Sequence, residues 1–292
     1  MCENLVVYFP NRTNQKMPGD PTKIFPPLPK GFSLPFYYAS VHAIWVYYRV
    51  NPKKLAPYLK DIALAPALFD GQALVLLHFQ RYTGFISNAL SVVNEVQFNI
   101  ITYPKVLKKQ APSISFIDFL AGGEQTKTLG AYRLYVPVDN PFAAKAGKEL
   151  FNEPTFVTTF TYAVPDINDP SQKSWAVTCN DPDHTNHETI FTLNIDANPP
   201  GLALSAMSPI MQYTRDPKGR VFAYTWNVFG AFASAILERG PTLVFGKGQH
   251  PMRAAMQELL DGVQAAGIQT FETPPVATST RGYLVQSETV DL

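Results

Sequence analysis

The chain has 292 residues, of which 46% are hydrophobic and only 16% charged, a composition that supplies a large core and excludes disorder. Its formal charge of +1, with no Lys/Arg run longer than Lys108-Lys109, excludes a polyanionic partner such as nucleic acid. Two cysteines, Cys2 and Cys179, are too few for a disulfide framework, and no apolar run nears the roughly 20 residues of a membrane-spanning helix.

The N-terminus reads Met1-Cys2-Glu3-Asn4 and then offers only the short apolar stretch 5–9. It lacks the basic start and longer apolar run of a secretory signal, so a cytoplasmic protein with no membrane partner is expected, and Asn11-Arg12-Thr13 is a chance sequon. Residues 10–36 are rich in Pro, Gly, Asn and Lys, as in Pro26-Pro27-Leu28-Pro29, and are expected to wrap the surface in extended form. From 37 to 50, aromatic and β-branched residues crowd together as in a half-buried strand. Asn51 then caps a short helix, with Pro52 at its first position and Leu55, Tyr58 and Leu59 at helical spacing.

Further strand-like runs cover 73–79, 91–101, 129–136, 155–162, 189–195, 220–228 and 281–287, parted by turn-forming clusters. The clearest helix spans 251–266: Met252, Met256, Leu259, Leu260 and Val263 form one apolar stripe for the core, and Gly267 is its expected stop. Many strands, few helices and no βαβ rhythm predict an α+β, β-rich fold, a mostly antiparallel β-barrel or cone with flanking helices. The expected organisation is an extended segment over 1–36 and a single domain over 37–292.

No phosphate-binding glycine loop and no nucleophile elbow occurs; Gly246-Lys247-Gly248 lacks the rest of any such motif. No cofactor is expected. Asp181, Asp183, His184, His187 and Glu188 gather in eight residues, yet a Pro-containing polar loop is also a solvated turn, and no metal is expected there. Cys179, with no basic neighbour in sequence, reads as a small buried hydrophobe.

Three stretches, in order, carry a family likeness. Tyr48-Arg49-Val50-Asn51, with Leu55 behind it, matches a strand ending in Tyr-Arg-Thr-Asp before a short helix. Residues 73–79, then Thr83-Gly84-Phe85 and Glu95, match a strand with an inward polar residue, a Gly-bearing loop and a second strand holding a catalytic glutamate. Residues 143–154, Ala-Ala-Lys-Ala-Gly-Lys-Glu-Leu-Phe-Asn-Glu-Pro, are similar to a signature that reads Ala-x-x-x-Gly-Arg-Glu-hydrophobic-aromatic-Gly-x-Pro-Lys. Over roughly residues 40–165 the chain thus resembles the acetoacetate decarboxylase superfamily.

The resemblance implies that family's fold, a homo-oligomer and a small-molecule substrate. It departs at the decisive position. After Pro154 the family has the lysine that forms a Schiff base with the substrate ketone; here stands Thr155, then Phe156 in place of a second lysine. Threonine has no amine and forms no iminium, so the electron sink for decarboxylation is missing. The family's strand glutamate appears as His78, the arginine of its first strand falls at Val41 or His42, and Glu95 survives as the matching catalytic residue.

On periodicity alone Glu95 is exposed; the resemblance turns it inward, where burial raises its pKa into the range of acid–base work. The leading expectation is a lyase or isomerase, free of covalent steps, that acts on a small oxo or enol substrate. Glu95 and His78 are its catalytic pair, converging with Thr155 on one cavity, with Thr155, Phe156, His42 and Arg49 binding substrate. The aromatic content suggests an apolar pocket, a polyketide-like substrate and secondary metabolism. Two alternatives stay open: a non-catalytic small-molecule-binding protein, or a decarboxylase using another lysine, with Lys145 and Lys148 the amines near the motif.

Overall fold

The structure, a computed structural model, describes residues 26–86, 89–165, 171–172, 174–183, 188–195, 202–204, 209–228, 232–237, 240–273, 277–279 and 281–285. Strand β1 (Phe36–Val50) leads through a 3₁₀ turn (Pro52–Leu55), β2 (Leu64–Pro66) and β3 (Leu68–Phe69) to the long antiparallel pair β4 (Gln72–Ile86) and β5 (Ala89–Pro104). Next come α1 (Phe116–Leu120), β6 (Gly130–Val138), α2 (Pro141–Phe151), β7 (Thr155–Val157), β8 (Phe160–Ala163), β9 (Trp175–Asn180) and β10 (Thr189–Ile195). The last part holds β11 (Leu202–Leu204), β12 (Pro209–Arg215), β13 (Val221–Val228), β14 (Phe232–Ile236) and β15 (Thr242–Phe245). It closes with α3 (Pro251–Leu260), β16 (Ala265–Thr273), β17 (Ala277–Ser279) and β18 (Tyr283–Leu284).

The β-rich, mostly antiparallel architecture agrees with expectation. Among the described residues the strands form two sheets, fourteen in a large one and four (β8, β9, β10 and β15) in a small one. Only β6 pairs in parallel among the described residues, with β7 and with β12. β1 is paired along both edges, with β4 on one side and β16 and β17 on the other.

Alternation along β1 explains how the layers stack. Ile44, Val46 and Tyr48 pack with Trp175, Val177, Phe191 and Leu193 of the small sheet and with Met252, Met256 and Leu259 of α3. Val41 and Ala43 point the other way, toward Ala146, Leu150 and Phe151 of α2, and Tyr47 meets Phe116 and Leu120 of α1. Each such side chain contributes about 1.5–3 kcal/mol on burial. The large sheet is therefore a middle layer, with the small sheet and α3 on one face and α1 and α2 on the other.

Two bulges shape the second face. Tyr38 pairs with Gly84 and Ser40 with Thr83, leaving Ala39 extra in β1. Tyr135 pairs with Phe98 and Arg133 with Asn99, leaving Leu134 extra in β6. An extra residue resets the two-residue alternation, so Tyr38 and Val41 face one interior, as do Arg133 and Val136.

The helix expected over 251–266 stops at Leu260. Asp261 takes extended backbone and Gly262 a φ of +70°, a conformation open to glycine and closed to a continuing helix. Gly267, the expected stop, lies in β16, where a Cβ would stand 2.6 Å from Leu120 Cδ1; its bareness seats α1 on the sheet. His250 caps α3, its Nδ1 accepting from Met252 N–H at 3.2 Å.

Residues 26–35 form turns and bends, and the remainder of the Pro-rich segment lies outside the described residues. So do His184 and His187 of the polar loop; Asp181 there accepts from the N–H groups of Asp183 and His250 at 3.0 and 2.9 Å. Cys179 is fully buried, and burial pushes its thiol pKa up. Among the described residues no helix is long and apolar enough to cross a membrane.

Candidate active site

Polar residues occupy every second position on the second face of β4 and β5. His78 and Gln80 stand on β4, Glu95, Gln97 and Asn99 on β5, and all are buried. Cross-strand register places His78 beside Gln97 and Gln80 beside Glu95; Trp45 of β1 extends the first row. Buried polar groups persist in a strand when they bond one another, and these do.

Glu95 Oε1 accepts from Gln80 Nε2 at 2.8 Å and from Gln97 Nε2, and its Oε2 accepts from Tyr82 O–H at 3.3 Å. Gln97 Oε1 accepts from Arg133 Nη1 and lies 2.7 Å from His78 Nδ1. Arg133 also donates to Asn99 Oδ1 at 3.1 Å and pairs through Nε with Glu153 Oε1 at 3.4 Å. Tyr224 O–H donates to the same Glu153 oxygen. Glu153 reaches this point because Gly147 carries no side chain: a Cβ would sit 2.7 Å from Glu153 Oε2 and from Thr155 Cγ2.

Two carboxylates thus share one buried guanidinium. Burial raises the Glu95 pKa from 4.5 to about 7, helped by the negative Glu153, while Gln97, Arg133 and Gln80 oppose the rise. Burial, then the Arg133 charge, holds His78 well below the ordinary histidine value. At neutral pH the site therefore holds a partly ionised acid, a neutral imidazole and a fixed cation, a set suited to moving a proton and stabilising oxygen charge.

Two cavities open on this network. The larger, about 130 Å³, is lined by His78, Trp45, Gln212, Gln269, Glu124 and Lys127 among mostly apolar side chains. The smaller, about 60 Å³, is lined by Glu95, Gln80, Tyr82, Glu153 and Tyr224. Gln97 and Arg133 line both.

Of the residues singled out from the sequence, the structure brings Glu95 and His78 together, bridged by Gln97 rather than in contact. Thr155 lies at the foot of α2 with its hydroxyl donating to Ala144 O at 2.8 Å, and it lines neither cavity. Phe156 points to the opposite face, its ring 4.0 Å from that of His250. His42 also faces that side, 4.5 Å from Trp175. Arg49, next to last in β1, pairs with Asp70 at 3.2 Å and lies over the Phe116 ring. Lys145 and Lys148 are exposed on α2.

Sequence reasoning missed Arg133, Gln97, Gln80 and Glu153. A signal existed for the first three: polar residues at alternate positions in otherwise apolar strands. Glu153 had none, because its direction depends on Gly147 and on the turn after α2.

No protein-family model matches the sequence, and no curated protein does. Solved structures do match. The enduracididine biosynthesis enzyme MppR with HEPES bound aligns at a TM-score of 0.61 and 12% identity, over 88% of this chain and 89% of that one. An acetoacetate decarboxylase-like enzyme from Sphingomonas wittichii RW1 aligns at 0.58 and 15%, over 86% and 92%. Acetoacetate decarboxylase from Legionella pneumophila aligns at 0.58 and 11%, over 93% of both chains. Layer order, strand pairing and these alignments agree: this chain has the acetoacetate decarboxylase-like fold.

Proposed function

We propose that the protein is an enzyme that acts without covalent catalysis on a small oxo or enol substrate. The observation that carries this reading is Glu95, a carboxyl buried beside a second carboxylate with its pKa raised to about 7. A base so poised takes a proton α to a carbonyl and returns it at neutral pH; such a group contributes roughly 10²–10⁴-fold in rate. Arg133 lines both cavities, and a buried guanidinium, even one paired with Glu153, lowers the cost of negative charge developing on a substrate oxygen beside it. His78, neutral and held by Gln97, is the second proton-handling group. Enolisation, dehydration, cyclisation and retro-aldol cleavage all need this equipment, so the class is lyase or isomerase.

Thr155 leaves position 155 without an amine, which argues against a Schiff base there. The fold neighbour MppR is named a biosynthesis enzyme, and one of its structures holds the condensation product of pyruvate and imidazole 4-carboxaldehyde. That likeness supports a biosynthetic role; a polyketide-like substrate and a cytoplasmic homo-oligomer belong to the same proposal. The test begins with metabolite profiling of a strain lacking the gene, which identifies the accumulating intermediate. Purified protein should convert that intermediate, and Glu95→Gln should lose at least a hundredfold in kcat while still binding it. A Glu95→Gln protein with most of its rate ends the reading, and saturable binding without turnover by the wild type makes the protein a binder.

One observation favours a second reading. Lys127 lines the larger cavity, and burial lowers its pKa despite the nearby Glu124. A lysine so placed is an amine that an oxo substrate can reach. Covalent trapping by borohydride, lost in Lys127→Met, would establish imine chemistry at this position in place of the non-covalent route.

A further inference from the structure

We infer that the larger cavity binds a neutral, ring-sized ligand whose hydroxyl donates a hydrogen bond to His78 Nε2. This deepens the proposed function and rests on it for placing the substrate in that cavity. The argument starts from an atom that can only donate. Arg133 has no acceptor, so the Gln97 atom facing its Nη1 is the amide oxygen, and the amide nitrogen faces Glu95. The same oxygen lies 2.7 Å from His78 Nδ1. Two acceptors do not bond each other, so Nδ1 carries the proton, and the neutral ring leaves Nε2 with a lone pair.

That lone pair is buried: His78 lines the cavity and is 2% exposed, and Nε2 has no hydrogen-bond partner among the described residues. Native proteins rarely leave such an atom unserved. Trp45 Nε1, a donor, and Gln212 Oε1, an acceptor, are likewise buried without a partner among the described residues, and both side chains line the same cavity. The wall therefore calls for a donor at two points and an acceptor at one, and a hydroxyl both gives and takes.

Charge decides between a hydroxyl and a carboxylate. Arg133 is already paired with Glu153 at 3.4 Å. Lys127 Nζ donates to Glu124 O at 2.7 Å, and the Glu124 carboxylate accepts from the Lys127 backbone N–H at 3.1 Å. Glu95 lies directly behind Gln97. An anionic ligand would meet these carboxylates without an unpaired cation to offset them. Leu76, Ile101, Phe119, Phe232 and Phe271 complete an apolar wall. A volume of about 130 Å³ is close to that of an engineered cavity of roughly 150 Å³ that takes benzene. An enol ring or a phenol fits these demands.

Phenol, toluene and benzoate serve as probes, with calorimetry on the full chain at pH 7. Phenol should bind, toluene at least about tenfold more weakly, and benzoate not measurably. His78→Leu should bring phenol down to the toluene level. Should that variant fail to fold, nitrogen NMR of the wild type with labelled histidine answers the same question. His78, assigned through its contact with Trp45, should show an unprotonated Nε2 whose shift moves on phenol addition. Equal binding of phenol and toluene, competitive binding of benzoate, or a protonated Nε2 overturns the inference. Phenol preference intact in a Glu95→Gln protein that still turns over would sink the catalytic reading alone. Lost preference beside a dead Glu95→Gln would sink only this one.

Discussion

Replacing Glu95 by glutamine tests the buried carboxyl through stability, with no substrate needed. Its pKa rises from the ordinary 4.5 to about 7 in the fold. At 1.36 kcal/mol per pH unit that rise corresponds to about 3 kcal/mol. The folded state binds the proton more tightly than the unfolded chain. The contribution is therefore fully present below pH 4.5 and is lost as pH rises to about 7. Glutamine keeps the shape and the acceptor for Gln80 and Gln97 but cannot ionise. At pH 8 the variant should be the more stable protein by about 3 kcal/mol, and near pH 4.5 the two should coincide. Urea titrations at half-unit steps between those limits read the difference, about 1 M in midpoint for an m-value near 3 kcal/mol/M. The other titrating groups are common to both proteins and cancel. Parallel stability profiles would show that Glu95 is not held protonated by its surroundings, and the catalytic assignment would lose its basis.

Gly147→Ala sets a Cβ 2.7 Å from Glu153 Oε2 and Thr155 Cγ2; the crowding should cost about 1–3 kcal/mol. Moving Glu153 away lowers the Glu95 pKa, so the acid limb of kcat/KM against pH should shift to lower pH; an unmoved limb refutes that coupling. Arg133→Met leaves the carboxylates uncompensated and should cost about 3–5 kcal/mol in denaturant titration. Adding Glu153→Gln should recover most of that loss, and strict additivity of the two changes would show that the pair is not coupled. His250→Ala removes the α3 cap and should cost about 1 kcal/mol, a melting shift of about 2 °C; an unchanged melt would mean water replaces the cap.

Much of the fold was legible because its strands are long and apolar. The alternation through 37–50 and the cap at Asn51 stand in the structure as β1 and the Pro52–Leu55 turn. The α3 stripe also packs as expected, but its end was misread. Gly267 looks like a helix stop by composition alone, whereas Gly262 takes the left-handed backbone. A glycine's sequence context does not say whether it is needed for its φ or for its missing side chain. Within the site, Glu95 and His78 could be found because the family resemblance marks both positions, whereas periodicity alone puts Glu95 on the exposed face. His42 and Phe156 could not be assigned a face, since side-chain direction there depends on bulges at Ala39 and Leu134 that local sequence does not announce. Thr155 was placed by a motif, and the motif is silent about the Ala144 carbonyl that engages its hydroxyl.

The partition between the two cavities consists of side chain, not backbone. Gln97 and Arg133 form it, and Gln97 holds His78, Glu95 and Arg133 at once. Both side chains are buried, so the picosecond-to-nanosecond rotamer flips of exposed residues do not apply to this wall. What latches it is the set of bonds it would give up. Glu95, which lines the smaller cavity alone of the two, is screened from the larger one by the residue that bonds it.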